Sequence, residues 1–126
     1  MIIFSIFIPG EVPSAKNSKV WTGKYLVYSK VASTYIRKTS MIWKNKSLIN
    51  QFRKRILEVK QPYKLSFKLI RNSHRRFDYV NLIQLPLDLM VTNGWLEDDN
   101  SNVVFPIFEQ YEINKMSPGI IISLIK

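Results

Sequence analysis

The sequence predicts one α/β domain built on a β-sheet, and three observations lead there. Apolar, β-branched and aromatic runs stand near both ends of the 126-residue chain, at Ile2 to Ile8 and at Gly119 to Ile125, and such runs favour strands. Between them, Tyr63 to Ile70 alternates Leu65, Phe67 and Leu69 with Lys64, Ser66 and Lys68, the period of two of a half-buried strand. Two stretches with helical spacing, one long and basic and one shorter and apolar, separate these runs, and strands alternating with helices define the class. The length suits a single domain over 1–126, and 46% hydrophobic residues are enough to fill one core.

Taken in order, MIIFSIFIPG lacks a basic leader and a small-residue cleavage site, so it is expected to be a strand ended by Pro9-Gly10 and not a signal peptide. No run approaches the roughly 20 apolar residues of a membrane span. The stretch GEVPSAKNSKVWTGK shows neither period and reads as a loop, in which Lys16, Lys19 and Lys24 among Ser and Asn suit phosphate contact. Tyr25 to Ser29 is β-prone and short. From Lys30 to about Val59 no Gly or Pro intervenes and Ser29 is available as N-cap, which predicts one long helix. Val31, Tyr35, Ile42, Ile49, Phe52 and Ile56 form its expected core stripe. Its other faces carry Arg37, Lys38, Lys44, Lys46, Arg53, Lys54 and Arg55 with almost no acid between them. Like charges on one helix repel, so a phosphate-tracking role is expected, while Trp43 is expected in the core and not stacked on a base. Pro62 stops the helix, and Arg71 to Arg76 forms a basic connector with His74 at the surface.

The second helix is expected over Tyr79 to about Thr92. Asn81, Gln84 and Asp88 fall on one narrow face with Asp78 at its leading edge, and Leu82, Ile83, Leu87, Leu89 and Met90 cover the rest. Pro86 removes a backbone donor inside it and predicts a kink or a late restart. Asn93-Gly94 predicts a left-handed end. Val103 to Phe105 reads as a further strand, Pro106 to Pro118 carries loop signals, and the closing strand is expected to be buried on both faces.

Charge narrows the function. The chain carries a net +10, which favours a polyanionic partner. Seventeen of its nineteen Lys and Arg lie in residues 1–77 beside only Glu11 and Glu58, whereas residues 78–126 set seven carboxylates against Lys115 and Lys126. Separated in this way, the charges suit phosphate binding by one part and a divalent cation in the other. The absence of cysteine excludes disulfides, a thiol nucleophile and a cysteine zinc site, and the single His74 excludes multi-histidine zinc ligation. Taken singly, Asp78 reads as a helix cap and Asp98-Asp99 as a turn.

Together these residues carry a resemblance. Pro13-Ser14-Ala15-Lys16-Asn17-Ser18, straight after the first strand, is similar to the Pro-Ser-Lys-Asn-type loop of the RusA-type Holliday junction resolvase family. Arg75-Arg76-Phe77-Asp78-Tyr79-Val80-Asn81-Leu82, then Asp88-Leu89-Met90, then Asn93-Gly94-Trp95-Leu96-Glu97-Asp98-Asp99, follows the Asp-x-Asp-Asn, Asp-Ala-Leu, Asn-Gly and Asp-Asp arrangement of that family without a gap. The resemblance implies a homodimeric α/β protein, a mixed β-sheet packed with two main helices, that binds four-way DNA junctions. It also implies strand cutting with Mg²⁺, for which Mn²⁺ substitutes, bound by aspartates. Asp78 and Asp99 match the first and last metal-binding aspartates, Asp98 lies beside the latter, Asp88 matches the helix aspartate and Asn81 the asparagine after the motif. Lys16, Asn17, Lys19, Lys24, Lys30, Arg37, Lys38, Lys44, Arg75 and Arg76 are the expected DNA contacts. No small-molecule cofactor and no membrane are implied, and the setting would be the cytoplasm of a bacterial or phage-infected cell.

Two departures stand out: Val80 occupies the place of the second motif aspartate, and Gln84 that of a lysine. Losing a carboxylate weakens a Mg²⁺ site, and losing the lysine removes a cation that offsets charge developing on phosphate. The expected chemistry is metal-assisted phosphodiester hydrolysis, with the cation held by Asp78 and Asp99 and with Asp98 as a further ligand or orienting the bound water. Asp88 or Asp98 is expected to complete the altered site, and, without metal, at least one of the clustered carboxylates to be raised in pKa. A junction-binding protein without cleavage is the second reading, and a basic RNA-binding protein the third.

Overall fold

Alternation of period two organises the sheet. The computed structural model describes residues 1–14 and 19–126, and the expected contacts of Lys16 and Asn17 lie outside the described residues. In chain order the elements are β1 (Ile2–Pro9), β2 (Lys19–Trp21), β3 (Leu26–Tyr28), α1 (Lys30–Trp43), α2 (Lys46–Ile56), β4 (Tyr63–Arg71), α3 (Tyr79–Thr92), β5 (Val104–Phe108), β6 (Glu112–Ile113) and β7 (Gly119–Ile125). The main sheet runs β1-β7-β4-β5, with β6 also on β4. It is mixed: β7 is antiparallel to both β1 and β4, whereas β5 and β6 are parallel to β4.

Register turns the sequence alternation into rungs. Phe4–Leu124–Leu65, Ile6–Ile122–Phe67 and Ile8–Ile120–Leu69 cross three strands on one face, and those side chains join one core cluster with α1, α2 and α3. Burying an aliphatic or aromatic side chain contributes roughly 1.5–3 kcal/mol, so these rungs outweigh the ~1 kcal/mol of any helix cap. On the opposite face the small residues Ser5, Ser123 and Ser66 line up. Ser5 and Ser123 share a hydrogen bond at 3.0 Å, and Ser66 donates to Glu109 at 3.1 Å.

Gly119 shows how tightly β1 and β7 approach. A Cβ at this position would lie 2.5 Å from the Ile8 carbonyl oxygen and 2.6 Å from the Phe7 ring. Backbone cannot yield as a flexible side chain does, so Gly119→Ala is expected to cost about 1–3 kcal/mol, measured as a lower urea midpoint with an unchanged slope.

Several expectations are corrected. The long helix of residues 30–59 is two helices, so among the described residues the sheet packs with three helices and not two. The break follows from a tertiary hydrogen bond. In a continuous helix the Trp43 carbonyl would accept from Ser47, but here it accepts the indole N–H of Trp95 at 2.8 Å. Asn45 then caps the new helix by accepting from the Leu48 N–H at 3.1 Å. Val31 is 62% exposed, because the buried stripe of α1 is Ala32, Tyr35, Thr39 and Trp43. The expected loop between residues 10 and 24 contains β2, which pairs with β3 as a separate hairpin. β4 is more than half-buried, since neighbours on both sides cover Ser66 and Arg71 as well as its apolar residues. β5 continues through Pro106, which an edge strand tolerates because only one side needs donors. Pro86 lies within α3 without a restart.

Candidate metal and nucleic-acid site

α3 is the crossover between the parallel strands β4 and β5, and crevices beyond the carboxyl ends of such strands are where open α/β sheets bind ligands. Here that crevice is a polar cleft of about 520 Å³ lined by Arg71, Arg75, Arg76, Asp78 and Asn81 together with Glu11. Arg71 ends β4 and is only 8% exposed. Its guanidinium lies over the Phe77 ring at 4.4 Å, and its Nε stands 3.1 Å from Glu11 Oε1. That distance makes an ion pair, but the N–H is not aimed at the oxygen, so no hydrogen bond forms. Glu11 is further tied by the backbone N–H of Asn72, at 3.2 Å.

Asp78 is the N-cap of α3 in position, with extended backbone, yet its carboxylate does not cap the helix. It accepts instead from Asn81 Nδ2 at 3.2 Å. Both residues therefore stand at the cleft, as their spacing predicts. His74 is exposed, 3.3 Å from the Tyr111 hydroxyl.

The second acidic group lies on another flank of α3. The chain leaves α3 through Gly94, whose φ of +82° provides the left-handed residue. Trp95 N–H to Met90 C=O at 2.8 Å and Gly94 N–H to Val91 C=O at 3.2 Å complete the turn. It then returns past the helix, so that Asp99 borders a hollow of about 240 Å³ with Val80, Ile83, Gln84, Leu87 and Phe108. Asp98 is a turn former: its carboxylate accepts from the Asp99 N–H at 2.7 Å and from Asn100 Nδ2 at 3.0 Å. These bonds, the Asp99 N–H first, lower its pKa.

Asp88 links the two halves of the charge map. Burial raises its carboxyl pKa, the nearby Lys19 ammonium opposes that rise, and the Asp99 carboxylate adds to it. The Asp99 and Lys19 charges thus act on Asp88 in opposite directions. Asp78 is ten positions from Asp88 along α3, about 15 Å at 1.5 Å per residue, and belongs to the cleft. Among the described residues no three His, Asp or Glu side chains converge, and residues 15–18 contain none.

The raised pKa has a thermodynamic sign. With a folded pKa above its unfolded value near 3.8, Asp88 binds protons more readily in the folded chain, so its ionisation costs stability once pH rises through that window. Asp88→Asn is expected to raise the melting temperature at pH 7, and the gain should vanish as pH falls below the unfolded value. Thermal melts across pH 3–8 check this.

The expected phosphate contacts are at the surface: Lys19, Lys24, Lys30, Arg37, Lys38, Lys44, Arg75 and Arg76 are all exposed. Two other cations of the first helical region have structural partners, Arg53 donating to the Gly94 carbonyl and Arg55 pairing with Glu58 at 3.0 Å. Sequence reasoning missed three features: the burial of Arg71, the approach of Lys19 to Asp88 and the exposure of Trp21. Only Arg71 left a signal, as the last residue of an alternating strand that is otherwise followed by loop.

No family model matches the chain, and no curated protein matches it significantly. No helix among the described residues is long and apolar enough to cross a membrane.

Proposed function

We propose that the protein is a metal-dependent endonuclease acting on branched DNA, a homodimer of the RusA type that its motif resembles, working in the cytoplasm of a bacterial or phage-infected cell. The observation that carries this reading is the return of the chain past α3, which sets Asp99 against Gln84 and Leu87, the latter next to Asp88 in the chain. Carboxylate oxygens are the donors Mg²⁺ and Mn²⁺ take, and Mg²⁺ is commonly held by one or two carboxylates together with substrate phosphates. The mutual repulsion of Asp88 and Asp99 fits such an ion. The metal, when bound, would polarise the scissile phosphate and lower the pKa of a bound water.

The chain's own residues take the remaining roles. Asp88 and Asp99 hold the cation, and Asp98 fixes the turn that presents Asp99. Asp78 and Asn81, hydrogen-bonded to one another, line the cleft in which Arg75 and Arg76 receive a backbone phosphate, with Arg71 beneath. Lys30, Arg37, Lys38 and Lys44 extend the positive surface, and binding through backbone contacts supplies affinity without reading bases.

A second reading, junction binding without cleavage, is favoured by Val80, which stands 67% exposed beside Asp99 and Gln84 where the motif would have an aspartate and a lysine. One experiment separates the readings. The parent chain is bound to a synthetic four-way junction in EDTA, Mg²⁺ is added, and the products are resolved on a denaturing gel. Paired nicks that depend on Mg²⁺ support the endonuclease. Tight binding without product leaves only the second reading, and better competition by structured RNA than by junction DNA removes both.

A further inference from the structure

The three tryptophans of the chain are placed very differently. Trp43 and Trp95 are each 1% exposed, whereas Trp21 is 66% exposed. Trp21 lies in the hairpin of β2 and β3, where it pairs with Leu26, while Lys19 pairs with Tyr28. Alternation places these four side chains on one face. Tyr28 is half-buried against the core, with the Lys19 ammonium 5.3 Å from its ring centre. The root of the hairpin is thus anchored, and its tip carries Trp21, Tyr25 at 61% and Leu26 at 58% exposure. Thr22 holds that tip closed, its backbone N–H and its hydroxyl both donating to the Tyr25 carbonyl at 3.1 and 3.0 Å.

Exposed apolar groups gathered at a fixed tip mark a contact surface. Charge selects the partner. No Asp or Glu occurs from Val12 to Leu57, Lys19 lies over the Tyr28 ring, and Lys24 and Lys30 stand close to the rings in the chain. A polyanion with aromatic faces satisfies both features, and exposed rings among cations are how single-stranded nucleic acid is held. A second copy of the same basic surface would be repelled.

We propose that the hairpin is a stacking element for unpaired nucleobases, with Trp21 receiving a base on its ring and Lys19 and Lys24 receiving the flanking phosphates. The proposal deepens the endonuclease reading and rests on it for the position of those bases, next to the acidic site. Stacking itself requires no metal and no cleavage.

Trp43 and Trp95 are shielded, so tryptophan emission reports Trp21 against an internal reference. The full chain in EDTA is titrated with a short mixed-sequence single-stranded DNA and with its duplex, and quenching by acrylamide is followed. The single strand is expected to shift the emission and protect Trp21 from acrylamide more than the duplex does. Trp21→Ala should weaken single-strand binding about tenfold, Trp21→Phe should restore most of it, and thermal melts should be unchanged for both. Unchanged emission at saturating single strand would overturn the proposal, as would equal losses for the Ala and Phe variants. Shielding of Trp21 before DNA is added, with self-association in sedimentation, would also overturn it in favour of a protein partner. Mg²⁺-dependent nicking without a Trp21 response removes the stacking element alone, and a Trp21 response without nicking removes the endonuclease alone.

Discussion

Asp99→Asn is expected to lower Mg²⁺-dependent nicking of a four-way junction by roughly 100-fold or more, with binding in EDTA retained and the melting temperature not lowered, since removing this charge relieves its repulsion of Asp88. Mutating groups that only orient metal ligands typically costs 10–100-fold, and loss of a carboxylate that holds the ion should exceed that. The fold gives no reason for a stability loss. Asp99 is exposed, and its backbone N–H continues to donate to Asp98 after the substitution. Asp98→Asn makes the contrast, because it weakens the charge-assisted turn and should act on activity less severely. Single-turnover cleavage rates for both variants beside the parent decide the order, and a parent-like rate for Asp99→Asn would remove the assigned role.

The largest loss of stability is expected from Trp95→Ala, about 3–5 kcal/mol, or on the order of 10–20 °C in melting temperature for a chain of this size. Trp95 is 1% exposed and makes edge or tilted contacts with Phe4, Trp43 and Phe52 at 5.6–6.4 Å. Removing the indole empties that centre and also leaves the Trp43 carbonyl without its donor. A buried acceptor left alone costs a further ~1–3 kcal/mol unless it regains a partner. The nearest is the Ser47 N–H, which would require α1 and α2 to straighten into one helix. Trp95→Phe keeps much of the packing and loses the N–H, so in urea unfolding the step from parent to Phe reports mainly the hydrogen bond and the further step from Phe to Ala reports the packing.

That same pair explains what could and could not be read from the chain. The periods of β4 and α3 and the continuous apolar run of β7 were legible because neighbouring residues carry the pattern themselves, and Asn93-Gly94 announced the end of α3 because φ of +82° favours glycine. The break at Asn45 was not legible, since its cause is an indole 52 positions away. Asn45 is a good cap, but an asparagine within an otherwise helical pattern does not by itself stop a helix. β2 was missed for a similar reason, as three residues are too few for a period and the pairing with β3 supplies the structure.

The candidate site divides along the same line. Helical spacing placed Asp78 beside Asn81, and the hydrogen bond between them follows from three positions of separation. Spacing could also put Asp88 on the same strip as Gln84. It could not show that the chain after Gly94 returns along α3 to bring Asp99 to that strip, although the turn at Asp98-Asp99 was legible and the Asp98 carboxylate forms it. Trp43 reads as core and is 1% exposed, but nothing local marks Trp21 as a ring on a solvent-exposed hairpin. The return of the chain to α3 rests on contacts long in sequence and short in space.

The most direct test of the assigned acidic site is paramagnetic broadening by Mn²⁺ of the aspartate carboxyl carbon signals in the labelled full chain. Asp88 and Asp99 are expected to broaden together at substoichiometric Mn²⁺ and to sharpen again with excess Mg²⁺. Sharp Asp88 and Asp99 signals throughout the titration would contradict a shared cation at this site.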